Sequence, residues 1–238
     1  MTAKPVRDPR VPIEIVRAGQ AFSVYPKDPP GNPDFWDPAM TWETPTYAAL
    51  AGRLHRAATF WDIGAWCGPF TLYAAAAGAT TWAFEPDPIA YAHLIENLTI
   101  DQGPGEGLTF PMMFACGAHT GAAVLYADAL GDSRTSQRAK GTQKKALEVP
   151  VVRLDDLAPH IGAYGAGPDV VKIDCEGMEA EVLAGMMETI VNDRPTIVIS
   201  LHPGYLYGKD WAVIERVAAI YGESEVVRDQ SELLVWSR

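Results

Sequence analysis

Thr59-Phe60-Trp61-Asp62-Ile63-Gly64-Ala65-Trp66-Cys67-Gly68-Pro69 runs from apolar residues into a glycine-bearing turn. Residues 59–63 have the length and content of a buried strand, and a helix is expected from about 67 through 77. Pro69 is tolerated in that helix's first turn, and Gly78 ends it. Gly64 lets the backbone approach a ligand closely, while Gly68 permits tight packing where the helix starts. Strand, tight turn and helix form the repeating unit of a parallel sheet covered on both faces.

Outward from this unit the alternation repeats. Residues 80–84 form a second apolar run, and Asp87-Pro88 is an N-cap and first-turn pair for a helix to about Ile100, with Ile89, Ala92, Leu94 and Leu98 facing inward. Residues 110–116 read as a third strand. Residues 124–127 and 148–152 form two short strands around a polar loop, an accessory hairpin. Residues 169–173 are the fourth buried strand. Val182, Leu183, Met186, Met187 and Ile190 then mark one amphipathic helix, whose methionines need no role beyond packing. A strand over 196–201 and a helix through Trp211, Ile214, Val217, Ala218 and Tyr221, ended by Gly222, follow. Strands near 225–227 and 233–236 pair as an antiparallel hairpin. The fold class is therefore α/β, a doubly wound, mostly parallel sheet with an antiparallel C-terminal strand.

Residues 1–57 read as an N-terminal extension to one domain over 58–238. Pro26, Pro29, Pro30, Pro33, Pro38 and Pro45 deny this stretch long regular structure, while Phe35, Trp36, Trp42 and Tyr47 give it something to bury. The extension is expected to wrap over the domain, as a stabilising arm or as a partial lid on the ligand site.

Thirty acidic against 19 basic side chains give a formal charge of −11, which opposes the phosphate attraction that dominates nucleic-acid binding. No nucleic-acid partner is expected. Arg134, Arg138, Lys140, Lys144 and Lys145 form a local basic stretch, either a solvated loop or a feature suited to an acidic or nucleotide-linked acceptor. Cys67, Cys116 and Cys175 fit no metal clip or redox pair. No segment reaches the roughly 18 uninterrupted apolar residues of a membrane helix, so no membrane partner is expected and a reducing cytoplasm is the expected location. The sequence leaves the oligomeric state open, a homodimer included.

In a doubly wound sheet, ligands bind beyond the carboxyl ends of the strands. A dinucleotide loop would present bare amides to a pyrophosphate, whereas here Asp62 heads the turn and would repel it. A ligand bearing an ammonium is attracted there, directly or through water, and S-adenosylmethionine supplies one. Gly64, Ala65 and Gly68 belong to that cofactor turn, and Thr71 can reach it or cap its own helix. Glu85 follows Asp62 by 23 residues and ends the second strand, where an acid can accept both ribose hydroxyls. Cys116 and Gly117 are the candidates nearest an adenine.

The fourth strand ends in Lys172-Ile173-Asp174-Cys175-Glu176-Gly177-Met178-Glu179. Strand alternation points Lys172 and Asp174 the same way, so the two can pair. Glu176 and Glu179 suit the substrate site or, alternatively, the positive end of the next helix. His202 ends the fifth strand, and with an ordinary pKa near 6.5 it is a candidate base for a substrate hydroxyl. His119 and His160 have weaker support. Catalysis is thus assigned to Asp174, Glu176, His202 and Lys172. No metal site is assigned, although Asp174, Glu176 and His202 together could hold a divalent ion.

The strings Trp61 to Leu72, Phe84-Glu85-Pro86-Asp87, Arg153-Leu154-Asp155-Asp156-Leu157, Val171 to Glu179, and Arg194-Pro195 followed by a strand to His202 resemble the FkbM family of methyltransferases. The resemblance spans roughly residues 59–203. It implies a Rossmann-like, class I methyltransferase fold, S-adenosylmethionine as donor, and O-methylation of a sugar or polyketide hydroxyl. It places the cofactor at Asp62, Gly64, Gly68 and Glu85, with Asp174 and Glu176 at the active-site edge. Trp66-Cys67 departs from the small polar pair more frequent there, and Ser200 stands where a glutamate is common. Two other functions share this kind of sheet: a nicotinamide-dependent oxidoreductase, which the acid at Asp62 disfavours, and a non-catalytic cofactor-binding module, which the fourth-strand acids disfavour.

Overall fold

The computed structural model describes residues 8–135, 145–161, 167–222, 225–228 and 232–237. The extension is more ordered than its prolines suggest. It forms an antiparallel hairpin, β1 (Ile13–Arg17) and β2 (Gln20–Val24), and a short helix α1 (Thr44–Leu50) with Pro45 in its first turn. The quoted stretch gives β3 (Thr59–Ile63), the turn, and α2 (Pro69–Ala76). β4 (Thr80–Phe84) leads into α3 (Pro88–Asn97), where the Asp87 carboxylate accepts from the amides of Ile89 and Ala90. That cap sets the helix phase: Ala90, Leu94 and Asn97 turn inward, while Ile89 and Ala92 are exposed, contrary to the expected face.

The run expected as one third strand is two. β5 (Thr109–Met112) joins the main sheet, whereas β6 (Ala115–Cys116) leaves it to pair with the accessory hairpin of β7 (Gly121–Ala127) and β8 (Lys145–Val152). Among the described residues β5 is an edge strand paired with β4 alone, and Pro111 lacks a ladder donor, so the chain is free to leave the sheet after Met112. An unexpected helix α4 (Leu154–Ile161) follows, then β9 (Val170–Ile173). The expected single helix is also divided, into α5 (Glu179–Gly185) and α6 (Met187–Asp193), around Met186 at φ −122°, ψ 23°. β10 (Thr196–Leu201), α7 (Gly208–Tyr221), β11 (Glu225–Arg228) and β12 (Glu232–Trp236) complete the chain.

The main sheet runs β11-β12-β10-β9-β3-β4-β5, parallel from β10 through β5, with β12 antiparallel between β10 and β11. The order reverses between β3 and β9, so their carboxyl ends open the crevice where ligands bind in such sheets. Alternation along the strands separates two cores. Phe60, Val170 and Val198 face one layer, which includes α2 and the extension's Phe22, Trp36, Tyr47 and Leu50; Trp61, Val171 and Ile197 face the other. Each of those four extension side chains is nearly or fully buried. Burying a side chain of this kind contributes about 1.5–3 kcal/mol, so the extension is a layer of the core rather than a loose flap.

Candidate active site

Four strand ends supply the site. β3 ends at Gly64, β4 at Glu85, β9 at Asp174 and β10 at His202, and all four residues line one cavity of about 810 Å³. This size suits a cofactor together with a small acceptor. Cys116, Lys172 and Glu176 stand on the same wall, so seven of the sequence-derived candidates converge there.

The candidates Asp62, Ala65, Gly68, Thr71 and Gly117 are buried and do not line the cavity. Asp62 has no solvent exposure. Thr71 Oγ1 donates to its Oδ2 at 2.6 Å, and Lys172 Nζ stands 3.6 Å from Oδ1, which has no hydrogen-bond partner. The pairing follows from register, because Asp62 and Lys172 are Cα neighbours on β3 and β9. Asp62 therefore acts here on Lys172 and Thr71 rather than facing the cavity. Burial pushes its carboxyl above the usual range, and Lys172 and Thr71 pull it back. Lys172 is paired as expected, 3.7 Å from Asp174 Oδ2, and also donates to the Gly64 carbonyl at 3.1 Å. Burial opposes its charge, but Asp174 and Asp62 outweigh burial and hold the ammonium above its ordinary pKa.

Gly64 is required sterically. At φ 80° an added Cβ would lie 1.9 Å from the Asp174 carbonyl oxygen, so the β3 turn and the β9 end touch backbone to backbone. Gly177, in the turn after β9, is also required sterically: its Cβ would lie 2.3 Å from the Tyr205 side chain in the segment that follows β10. Glu176 precedes it at φ 51°, a left-handed conformation of the kind that collects at functional sites.

Glu85 is held from behind. Its Oε2 accepts from the Trp66 amide at 2.8 Å and its Oε1 from the Asp87 amide at 2.7 Å, and the residue lines the cavity. Burial pushes its pKa up to about 7 against those two hydrogen bonds. Trp66, the unusual residue of the turn, also lines the cavity at φ 50°. Its indole donates to the Gly131 carbonyl at 2.8 Å. It thereby fixes the end of the β7–β8 loop, whose Asp132, Ser133, Arg134 and Thr135 form another part of the wall.

His202 departs most from its expected state. Its Nδ1 lies 2.8 Å from Glu179 Oε1, and its Nε2 lies 3.8 Å from Asp174 and 3.7 Å from Glu176. Burial disfavours the imidazolium, but the Glu179 hydrogen bond and the surrounding carboxylates overcome it, raising the pKa to about 9. This environment favours the imidazolium over the neutral ring that a base role requires. Glu179, fully buried, also accepts from the Gly177 amide at 2.9 Å and orients the imidazole, which neither the helix-dipole reading nor the sequence spacing revealed.

Among the described residues, no three His, Cys, Asp or Glu side chains are arranged to hold a metal ion. Of the basic stretch, Arg138, Lys140 and Lys144 lie outside the described residues. Lys145 is exposed at the start of β8, and Arg134 lines the cavity paired to Asp132 at 2.9 Å. No described helix is long and apolar enough to cross a membrane. The wall also includes Asn32, Trp42 and Glu43 from the extension, which sequence reasoning did not single out as site residues. Only the concentration of aromatics among prolines hinted at them.

The methyltransferase FkbM domain model matches residues 62–222, from the acid of the first turn to the glycine that ends α7. The chain belongs to the FkbM methyltransferase family. The chain is also similar to a hexuronic acid methyltransferase, AglP of Haloferax volcanii, 27% identical over 148 residues, covering 60% of this chain and 56% of that one. The solved FkbM methyltransferase of Methylobacillus flagellatus KT is 17% identical with a TM-score of 0.50, covering 76% of this chain and 44% of that one. That likeness supports the class I methyltransferase fold. The chain spans about half the length of these relatives. FkbM membership removes the nicotinamide reading.

Proposed function

We propose that this FkbM chain transfers a methyl group from S-adenosylmethionine to a hydroxyl oxygen of a small-molecule acceptor, a sugar or glycoconjugate. The observation that carries this reading is one cavity with two chemically distinct ends. One end holds the buried Glu85 carboxylate, pinned by two backbone amides; the other holds the Asp174–Glu176–His202 charge cluster.

The residues fit the donor. Glu85 would accept the ribose hydroxyls, Cys116 and Phe114 offer an apolar wall for the adenine, and the Gly64 backbone borders the amino-acid half. When bound, the donor supplies a methyl group already activated by a positive sulfur. At the other end, Asp174 takes the proton from the acceptor hydroxyl. Its pairing with Lys172 and His202 fixes its position beside the acceptor. The His202 imidazolium then stabilises the negative charge developing on that oxygen. A hexuronic acid acted on by one relative supports an acidic sugar as acceptor, and Arg134 supplies a cation on the wall for its carboxylate.

The test joins binding to turnover. S-adenosylhomocysteine should give saturable heat by calorimetry, and labelled methyl should pass from donor to a panel of acidic and neutral glycosides. Asp174→Ala should abolish transfer while keeping the native circular dichroism spectrum. A fully active Asp174→Ala, or no heat from the wild-type chain, overturns the proposal.

A further inference from the structure

The acid expected to receive the donor's ammonium, Asp62, is fully buried and does not line the cavity, which leaves the acids that do line it to meet that group. Of the acids on the wall, Glu85 is committed at the end of β4, and Asp174 and Glu176 surround His202 beyond β9. Asp132 is clamped by Arg134 through Oδ1 at 3.2 Å and Oδ2 at 2.9 Å. Glu43, from the extension, lines the same cavity as Gly64 and Lys172. Its charge is felt by Lys172, whose ammonium donates to the Gly64 carbonyl.

Glu43 is also built into place. It caps α1 in a left-handed conformation at φ 54°, its carbonyl accepts from the Tyr47 amide at 3.1 Å, and its Oε2 accepts from Thr46 Oγ1. Beside it, Trp42 packs 5.6 Å from the Phe70 ring and 6.2 Å from the Trp66 ring, centroid to centroid. All three rings line the cavity, and aromatic faces favour a neighbouring cation.

We propose that Glu43 of the N-terminal extension, rather than Asp62, supplies the carboxylate that binds the ammonium of the donor's amino-acid half, with Trp42 as its aromatic wall. This inference rests on the S-adenosylmethionine reading above. It makes the extension part of the cofactor pocket, and a core lacking it would bind the donor poorly.

Calorimetry on the full chain with two probes tests it: S-adenosylhomocysteine, which carries the ammonium, and 5′-methylthioadenosine, which lacks the amino-acid half. A charge-assisted contact of this kind is worth at least about tenfold in affinity. Glu43→Gln, which keeps an acceptor for Thr46, should weaken S-adenosylhomocysteine by about that factor or more and leave 5′-methylthioadenosine unchanged. Glu43→Asp should recover part of the loss. Equal weakening of both probes, or none of either, overturns the role of Glu43 while the donor reading stands. If the wild-type chain binds neither probe, the donor reading falls, and this inference with it.

Discussion

Glu179→Gln should lower the pKa of His202 from about 9 to between about 7 and 8. The substitution preserves shape but removes the charge of a fully buried carboxylate 2.8 Å from Nδ1. A hydrogen bond to a charged group contributes about 1.5–3 kcal/mol, and 1.36 kcal/mol corresponds to one pH unit, which gives a fall of about one to two units. Asp174 and Glu176 remain in Glu179→Gln and keep the value above the ordinary 6.5. NMR titration of the histidine Cε1 protons measures it directly; the chain has five histidines, and the signal missing from His202→Gln assigns the one in question. The same shift has a stability signature. Because the folded pKa exceeds the unfolded one, the His202 contribution is complete below about 6.5 and is lost as pH rises through about 9, a change of up to ~3 kcal/mol. In Glu179→Gln, the upper end of that window should move down with the pKa. A wild-type midpoint near 6.5, or an unmoved midpoint near 9 in Glu179→Gln, would refute the charge-cluster account of this end of the cavity.

Two other perturbations probe the opposite end. Glu85 ionises near pH 7 in the folded chain, and only its carboxylate accepts two hydroxyls, so affinity for S-adenosylhomocysteine should rise about tenfold from about pH 6 to about pH 8. Glu85→Gln should bind more weakly with a flat profile in calorimetry, and a wild-type profile that stays flat counts against this role. Lys172→Met should cost about 3–5 kcal/mol in urea unfolding, because it leaves the Asp62 carboxylate buried without its counter-charge. Adding Asp62→Asn should recover much of that loss, and a cost below about 1 kcal/mol would show that the pair is not coupled.

The strand ends were legible because each closes a short apolar run, and alternation gives direction without knowledge of neighbours. Lys172 and Asp174 were placed correctly on one side of β9 by that rule. What failed depended on contacts between distant segments. Asp62 was read as facing a ligand, but the strand paired with β3 brings Lys172 across from it and closes it in. Cys116 was read as the end of a main-sheet strand, whereas the chain crosses to pair with Val152 on β8. The break at Met186 coincides with close backbone packing, since a Cβ on Gly185 would lie 2.0 Å from the Gly117 carbonyl. His202 kept its place but not its state: proximity to the sheet edge was readable, but three converging carboxylates were not. The hairpin and α1 of the extension were hidden by prolines that break local periodicity without preventing burial.

The extension has a consequence for how the protein diversifies. Asn32 and Trp42 wall the cavity from chain that precedes residue 62, where the family pattern begins. Substitution there reshapes the cavity without touching Glu85, Asp174 or His202 on the strand ends. Descent can therefore conserve a reaction while preference drifts.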